Sequence, residues 1–262
     1  MGARNRGSRP YTTKIPEEAP QHLTDHIFFG LELDEEQKQY RDAIWNPEVE
    51  IVFCNAKAGP GKTLIAVATS VLLYQYGLYD EIMYVMHPVG EAQGYLPGTI
   101  TEKSSVYFEA LYQSLEKAKQ EPYRVMKNTS ISASEKMGEG YVTAITDTYL
   151  RGSNIGGGAY PTVLIIDEAQ NFTEDSLRKV LTRVCRGTKV ICIGHDLQCD
   201  IADGPGAFLR CMNHFAQKKD PRFAFCKLSV NHRSLIAQTA DEKWEELEEE
   251  KKKRVQAKGA KG

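Results

Sequence analysis

The chain has 262 residues, of which 41% are hydrophobic and 26% are charged, a composition typical of globular proteins built as one large domain or two small ones. Its formal net charge is −2, so any nucleic-acid-binding surface would have to be a local patch. No apolar stretch approaches the roughly 20 residues of a membrane span, and the N-terminal segment lacks the apolar core of a secretory signal. The six cysteines include no C-x-x-C pair and are expected to be reduced. These features predict a cytoplasmic protein without a membrane partner.

Short β-branched runs alternate with helical patterns along most of the chain. Strands are predicted at 50–54, 81–88, 162–167, 188–194 and 222–230, and helices at 62–77, 102–120 and 174–184 and from about residue 241. This alternation predicts an α/β fold with a mostly parallel sheet covered by helices on both faces. Ligands of such sheets bind at the carboxyl ends of the strands. Residues 1–28 and 251–262 are polar or basic and are expected to be mobile tails that flank one domain at 29–250.

The segment "CNAKAGPGKT" (54–63) lies between the first predicted strand and the first predicted helix. It fits the phosphate-loop pattern G-x-x-x-x-G-K-[ST], except that Ala56 replaces the first glycine at the entry of the bend. An alanine costs little there if its φ stays negative. Lys62 is expected to reach the β- and γ-phosphates, and the Thr63 hydroxyl is expected to ligate Mg²⁺. The residues expected to bind the nucleotide are Ala58, Gly59, Pro60, Gly61, Lys62, Thr63 and Leu64.

The segment "TVLIIDEAQ" (162–170) places two carboxylates at the end of a buried strand. Asp167 is positioned to hold Mg²⁺ through water, and Glu168 can orient and deprotonate the attacking water. The alternative, an acidic cap for the next helix, is served better by the downstream "TEDS" (173–176). A phosphate loop followed by this acidic pair therefore predicts ATP binding, and Glu168 predicts hydrolysis.

Two glutamines extend this predicted site. Gln198, in "GHDLQCD", follows the next apolar strand and could sense the γ-phosphate and place the water. Gln37, in "LDEEQKQY", precedes the first strand and could read an adenine edge through its amide, which both donates and accepts. An exposed helical glutamine is the other interpretation of Gln37.

These segments together resemble the PhoH-like ATPases, a family related to the core domain of superfamily one helicases. The resemblance runs from about Leu33 to Gln238 and rests on "LDEEQ", "AGPGKT", "HPVGEAQGYLPG", "TYLRG", "LIIDEAQN" and "GHDLQCD". It implies a RecA-like P-loop domain and a homo-oligomer, with a hexameric ring as the expected form. The chain departs from the family pattern at Ala56 and at His195, which stands where the family has an aspartate.

The resemblance also implies a face for single-stranded nucleic acid on "HPVGEAQG" and "TDTYLRG". Tyr95 and Tyr149 could stack on bases, and Arg151 and Lys103 could neutralise phosphates. The alternatives are packed aromatic side chains and an internal ion pair.

The segment "LSVNHRS" resembles the helicase segment whose arginine reaches the γ-phosphate. Arg233 is therefore the candidate arginine finger, acting within its own chain or across a subunit boundary. Arg183 and Arg186 are alternatives.

The leading hypothesis is a Mg²⁺-dependent ATPase that couples ATP hydrolysis to binding, translocation on or unwinding of single-stranded nucleic acid, with RNA favoured. The alternative is a nucleotide-driven switch or assembly ATPase without a nucleic-acid substrate, which the low net charge favours slightly. A small-molecule kinase is a weaker hypothesis, because "DEAQ" suits attack by water better than phosphoryl transfer to a metabolite.

Overall fold

The computed structural model describes residues 14–15, 17–57, 59–88, 108–127, 140–150, 154–157, 160–195, 206–232, 234–236 and 239. The strands are β1 Ile51–Ala56, β2 Glu81–Met86, β3 Val142–Thr146, β4 Thr162–Asp167, β5 Thr188–Gly194 and β6 Phe223–Leu228. The α-helices are α1 Glu35–Trp45, α2 Lys62–Gln75, α3 Glu109–Lys117, α4 Pro122–Val125, α5 Glu174–Leu181 and α6 Ala207–Ala216. Two 3₁₀ turns, Asp147–Tyr149 and Ala169–Asn171, follow β3 and β4.

The described strands form one parallel sheet in the order β3-β2-β4-β5-β1-β6. The strand before the phosphate loop, β1, is separated by β5 from β4, which ends at Asp167. Because all these strands are parallel, the loop after β1 and the carboxylates after β4 emerge at the same edge of the sheet. The predicted α/β class with a mostly parallel sheet is confirmed.

Each face of the sheet carries its own hydrophobic core. Along β4, Val163 and Ile165 pack on the face that α1, α2 and α3 cover, whereas Leu164 and Ile166 pack on the face that α5 and α6 cover. This double burial explains why β4 and β5 are continuous apolar runs, whose bounds agree with the predicted 162–167 and 188–194. The predicted helices on both faces are therefore present.

Part of the predicted N-terminal tail is folded. Leu23 and Phe28 are buried in the core beside α1, and Trp45 Nε1 donates a hydrogen bond of 2.9 Å to the Pro20 carbonyl. The expectation of a mobile segment through residue 28 is thus wrong for 17–28, because apolar residues spaced within a polar stretch pack against α1. Residues 1–13, like 251–262, lie outside the described part of the chain.

Besides the two 3₁₀ turns, four of the described elements were not predicted from the sequence, namely α1, α4, β3 and α6. The edge strand β3 has only five residues and a mixed burial pattern. Helix α6 packs Phe208 against Gly194, where a Cβ atom would lie 2.6 Å from the ring. The expected helix from residue 241 lies outside the described residues, and the helix predicted at 102–120 is described as α3 only. Among the described helices, none is long and apolar enough to cross a membrane.

Candidate active site

The loop between β1 and α2 has the backbone of an anion-binding turn. Gly59 and Gly61 adopt positive φ angles of 107° and 78°, which a side chain would disfavour. Gly61 caps α2, and no side chain among the described residues caps the N–H groups of its first turn. Those N–H groups and the positive end of the helix dipole therefore face the loop and suit phosphate oxygens. Of the expected nucleotide-binding residues, only Ala58 lies outside the described residues.

Lys62 and Glu168, predicted from separate motifs, meet at this loop. Lys62 Nζ lies 3.1 Å from Glu168 Oε1, and the lysine side chain is 9% exposed. Glu168 has φ 49° and ψ 44°, a left-handed conformation that is uncommon for a residue with a side chain. Strained backbone of this kind concentrates at functional sites, where surrounding contacts hold it in place.

Gln170 is a contact residue that the sequence did not single out. Its Nε2 donates a hydrogen bond to Glu168 Oε2, and its Oε1 accepts one of 3.1 Å from the backbone N–H of His195. His195 is buried and directly follows β5. Gln170 therefore links the candidate general base to the start of "GHDLQCD", whose Gln198 lies outside the described residues. Its place in the "DEAQ" segment was the available signal.

Asp167 is buried at the tip of β4 and accepts three hydrogen bonds from described residues. Its Oδ2 accepts from the Thr63 hydroxyl at 2.8 Å and from the Tyr84 hydroxyl at 2.6 Å, and its Oδ1 accepts from the Glu168 N–H at 2.9 Å. Burial, followed by the nearby Glu168 carboxylate, raises the pKa of Asp167. Burial also raises the pKa of Tyr84 well above its ordinary value, so this tyrosine is a neutral donor.

The side chains at this position fit a magnesium ion. Mg²⁺ prefers hard oxygen ligands and keeps several of its waters, and Thr63 and Asp167 offer a hydroxyl and a carboxylate 2.8 Å apart. A divalent cation would also offset the repulsion between Asp167 and Glu168. The donor set therefore agrees with the predicted role of Thr63 and Asp167.

The first turn of α1 joins the phosphate loop to the segment after β6. Gln37 Nε2 donates a hydrogen bond of 2.9 Å to the Pro60 carbonyl, and Gln37 Oε1 accepts one of 3.0 Å from the N–H of Asp34, the residue that caps α1. Glu36 accepts hydrogen bonds from both the N–H and the hydroxyl of Ser229. Gln37 is buried, so the interpretation of an exposed helical glutamine is wrong.

The same turn holds His232, the residue before Arg233. His232 Nε2 lies 2.7 Å from Asp34 Oδ2, and a pocket of about 630 Å³ extends from His232 and Gln37 over Lys62 and Thr63 to α3. On the α3 side this pocket is lined by Ala110, Gln113, Ser114 and Lys117. Arg233 itself lies outside the described residues, but the residue before it lines the nucleotide pocket of its own chain.

The candidate nucleic-acid segments begin at the same edge of the sheet. Met86, at the end of β2, pairs with both Asp167 of β4 and Thr146 of β3. The next residues, His87 and Asp147, form a contact of 2.9 Å between Nδ1 and Oδ2. Tyr95, Lys103 and Arg151 and the side chain of Tyr149 lie outside the described residues.

The opposite edge of the sheet carries a second pocket of about 590 Å³. Its lining includes Arg186, Arg222, Phe215 and Phe223. Arg186 precedes the first residue of β5, Thr188, whereas the phosphate loop follows the last residue of β1. A seven-residue strand spans about 20 Å, so Arg186 cannot reach the nucleotide of its own chain. The same holds for Arg183, whose carbonyl accepts from Ile155 beside this edge.

The parallel sheet, the phosphate loop and the acidic pair define an ATPase-type nucleotide-binding protein with a RecA-like P-loop fold. The family model described as "PhoH-like protein" matches residues 32–243. The chain belongs to the family of PhoH-like proteins.

Curated relatives agree with this assignment. A PhoH-like protein of Mycobacterium leprae is 30% identical over 209 residues, which are 78% of this chain and 56% of that protein. A PhoH-like protein of Mycobacterium tuberculosis is 34% identical over 176 residues, 66% of this chain and 46% of that protein. The chain thus spans about half the length of these relatives. Among solved structures, the large terminase of bacteriophage HK97 is similar over 86% of this chain and 43% of that chain, with 15% identity and a TM-score of 0.46.

Proposed function

We propose that this protein hydrolyses ATP to ADP and phosphate with Mg²⁺ and couples hydrolysis to binding or movement along single-stranded RNA. The observation that carries the proposal is the convergence of Lys62, Thr63, Asp167 and Glu168 around one phosphate loop. Each of these side chains has the chemistry that one part of phosphoryl transfer to water requires.

Within this site, Glu168 is the general base. Its carboxylate oxygens contact Lys62 and Gln170, and its side chain is 36% exposed, so a water molecule can reach it. ATP supplies the γ-phosphoryl group that the water attacks. As the phosphates enter, Lys62 exchanges its carboxylate partner for phosphate oxygens, which releases Glu168 to act on water. Bound Mg²⁺ would supply charge neutralisation of the phosphates at Thr63 and Asp167.

The coupling to nucleic acid is supported by the positions of His87 and Asp147. Each is the first residue after its strand, and the segments to which they belong, "HPVGEAQG" and "TDTYLRG", resemble those that contact nucleic acid in the helicases. Their contact joins the two segments one strand away from Asp167. A nucleic-acid strand bound to these segments would therefore lie next to Asp167 and Glu168 and could alter the geometry of their carboxylates.

Arg233 is proposed to stabilise the γ-phosphate of its own chain, because His232 beside it already lines the pocket. We also propose a homo-oligomer, a hexameric ring by the family resemblance, which sedimentation velocity would test. Mixing an Arg233→Ala subunit with a Lys62→Ala subunit tests whether Arg233 acts on the nucleotide of its own chain. No recovery of hydrolysis supports action within one chain, whereas recovery shows that Arg233 acts on the nucleotide of a neighbouring subunit.

Steady-state ATP hydrolysis, measured with and without single-stranded RNA and over a range of Mg²⁺ concentrations, tests the proposed function. Lys62→Ala is the control for hydrolysis by a contaminant. Hydrolysis that depends on Lys62 and rises with RNA supports the proposal. Hydrolysis that ignores RNA and DNA would favour the switch or assembly ATPase, and no Lys62-dependent hydrolysis would refute both.

A further inference from the structure

Tyr84 is a buried side chain of β2 that belongs to none of the nucleotide motifs. It is 1% exposed, and its ring packs edge-on against Phe108 with 6.2 Å between the ring centroids. Strand β2 pairs with β4 in a register that places Met86 opposite Asp167. Tyr84 lies two residues earlier on the same face of β2, so its long side chain extends toward the tip of β4. Its hydroxyl ends 2.6 Å from Asp167 Oδ2.

Among the residues that the structure describes, the hydrogen bonds at Asp167 leave one carboxylate oxygen with an unoccupied acceptor position. A carboxylate has about four lone-pair sites, two on each oxygen. The Thr63 and Tyr84 hydroxyls occupy both sites of Oδ2, whereas Oδ1 accepts only the N–H of Glu168 among the described residues. By holding Oδ2, the Tyr84 hydroxyl restricts the rotation of the carboxylate and therefore the direction of the remaining site of Oδ1.

We propose that Tyr84 is the positioning residue that holds the Asp167 carboxylate in the orientation required for binding of Mg²⁺ with the nucleotide. Tyr84 does not touch the nucleotide or the ion and acts through Asp167. Partners of this kind orient metal-binding carboxylates, and their loss typically costs about 10–100-fold in metal affinity. The inference rests on the proposed function, because it requires that nucleotide binding respond to Mg²⁺.

The test is Tyr84→Phe, which removes the hydroxyl and keeps the ring in the core. Tyr141→Phe is the matched control, because Tyr141 is also buried and its hydroxyl donates to Gln120 Oε1 at 3.1 Å, away from the carboxylates. Binding of a fluorescent ATP analogue is measured first in a metal chelator and then at increasing Mg²⁺. We expect Tyr84→Phe to raise the half-saturating Mg²⁺ concentration about 10-fold and to leave binding without metal unchanged. The Tyr141→Phe protein should match the wild type.

The outcomes separate the inference from the proposed function. A wild-type Mg²⁺ requirement with the same half-saturation in Tyr84→Phe would overturn the inference alone. An equal shift in both variants, or loss of metal-free binding in Tyr84→Phe only, would show that Tyr84 serves core packing and would overturn it too. Nucleotide binding that ignores Mg²⁺ in the wild type would overturn the Mg²⁺-dependent function and the inference with it.

Discussion

Lys62 and Glu168 form an ion pair at the mouth of the phosphate loop, with 3.1 Å between Lys62 Nζ and Glu168 Oε1. The pair joins the residue expected to bind the γ-phosphate to the residue expected to activate water. Phosphate oxygens must compete with Glu168 for the lysine, so ATP binding and the freeing of the general base are one event. This linkage leads to the first prediction.

Replacing Glu168 with glutamine should separate binding from turnover. Loss of the general base should slow hydrolysis by about 10²–10⁴-fold. Affinity for ATP should rise by up to about fivefold, because a partly exposed ion pair contributes at most about 1 kcal/mol and no longer competes for Lys62. Equilibrium binding and steady-state hydrolysis measure the two effects. Glu174→Gln, at an exposed carboxylate paired with Arg210, is the control, and weaker ATP binding by Glu168→Gln would contradict the competition.

The left-handed backbone of Glu168 predicts a difference between two variants that both lose its side chain. Glu168→Gly should be more stable than Glu168→Ala by about 1 kcal/mol, because alanine at positive φ remains strained and glycine does not. Denaturant unfolding of the two proteins measures the difference, and hydrolysis should be slowed in both by about 10²–10⁴-fold, because both lack the general base. Equal stabilities would mean that no strain is stored at residue 168.

Gln37 is expected to support the phosphate loop through the Pro60 carbonyl. In Gln37→Glu the carboxylate can still accept the hydrogen bond that caps α1, but it cannot donate to the Pro60 carbonyl. The phosphate loop then loses this support, and the Pro60 carbonyl is left buried without a partner. We expect ATP affinity to fall about 10-fold, which corresponds to the usual cost of one unpaired buried group. Gln113→Glu adds the same charge to the same pocket from α3 and should change affinity less. Inorganic triphosphate distinguishes the two roles of Gln37. Triphosphate binding should weaken as much as ATP binding if Gln37 supports the loop, and should be spared if it reads adenine.

Lys189 makes the stability of the fold depend on pH. Its ammonium donates to the Asn46 and Val49 carbonyls, and burial lowers its pKa from 10.5 to about 8. The unfolded chain therefore binds the Lys189 proton more tightly than the folded chain does. The free energy of unfolding is highest above about pH 10.5, where the lysine is neutral in both states, and it decreases as the pH falls toward 8. The wild type should gain about 2 kcal/mol relative to Lys189→Met between pH 7.5 and 10.

Urea unfolding at several pH values measures this gain. Lys127→Met, at a partly exposed lysine paired with Glu81, provides the control and should show no such change relative to the wild type. A pH-independent difference between the wild type and Lys189→Met would contradict the assignment to Lys189.

Some elements could be predicted from the sequence because the pattern that marks them lies within a few consecutive residues. Strands β4 and β5 are buried on both faces, and each is marked in the sequence by an apolar run, at 163–166 and at 190–193. Thr173 accepts a hydrogen bond from the Ser176 N–H and caps α5, as the "TEDS" segment predicted. Strand β3 was missed because an edge strand of five residues carries little periodicity. Residues 17–28 were mistaken for a tail because Leu23 stands alone among polar residues and the apolar run at 27–29 is too short to show a helix or strand period.

The sequence alone determined the class of fold and the chemistry of the phosphate loop, since a strand, a glycine-rich turn and a helix are adjacent in the chain. Only the tertiary structure decided which side chains support that chemistry. The Tyr84–Asp167 bond spans 83 residues, and the Ser229–Glu36 bond spans 193. Such bonds depend on the order and register of strands that are not consecutive. These are fixed by packing over the whole sheet, and no local pattern in the sequence records them.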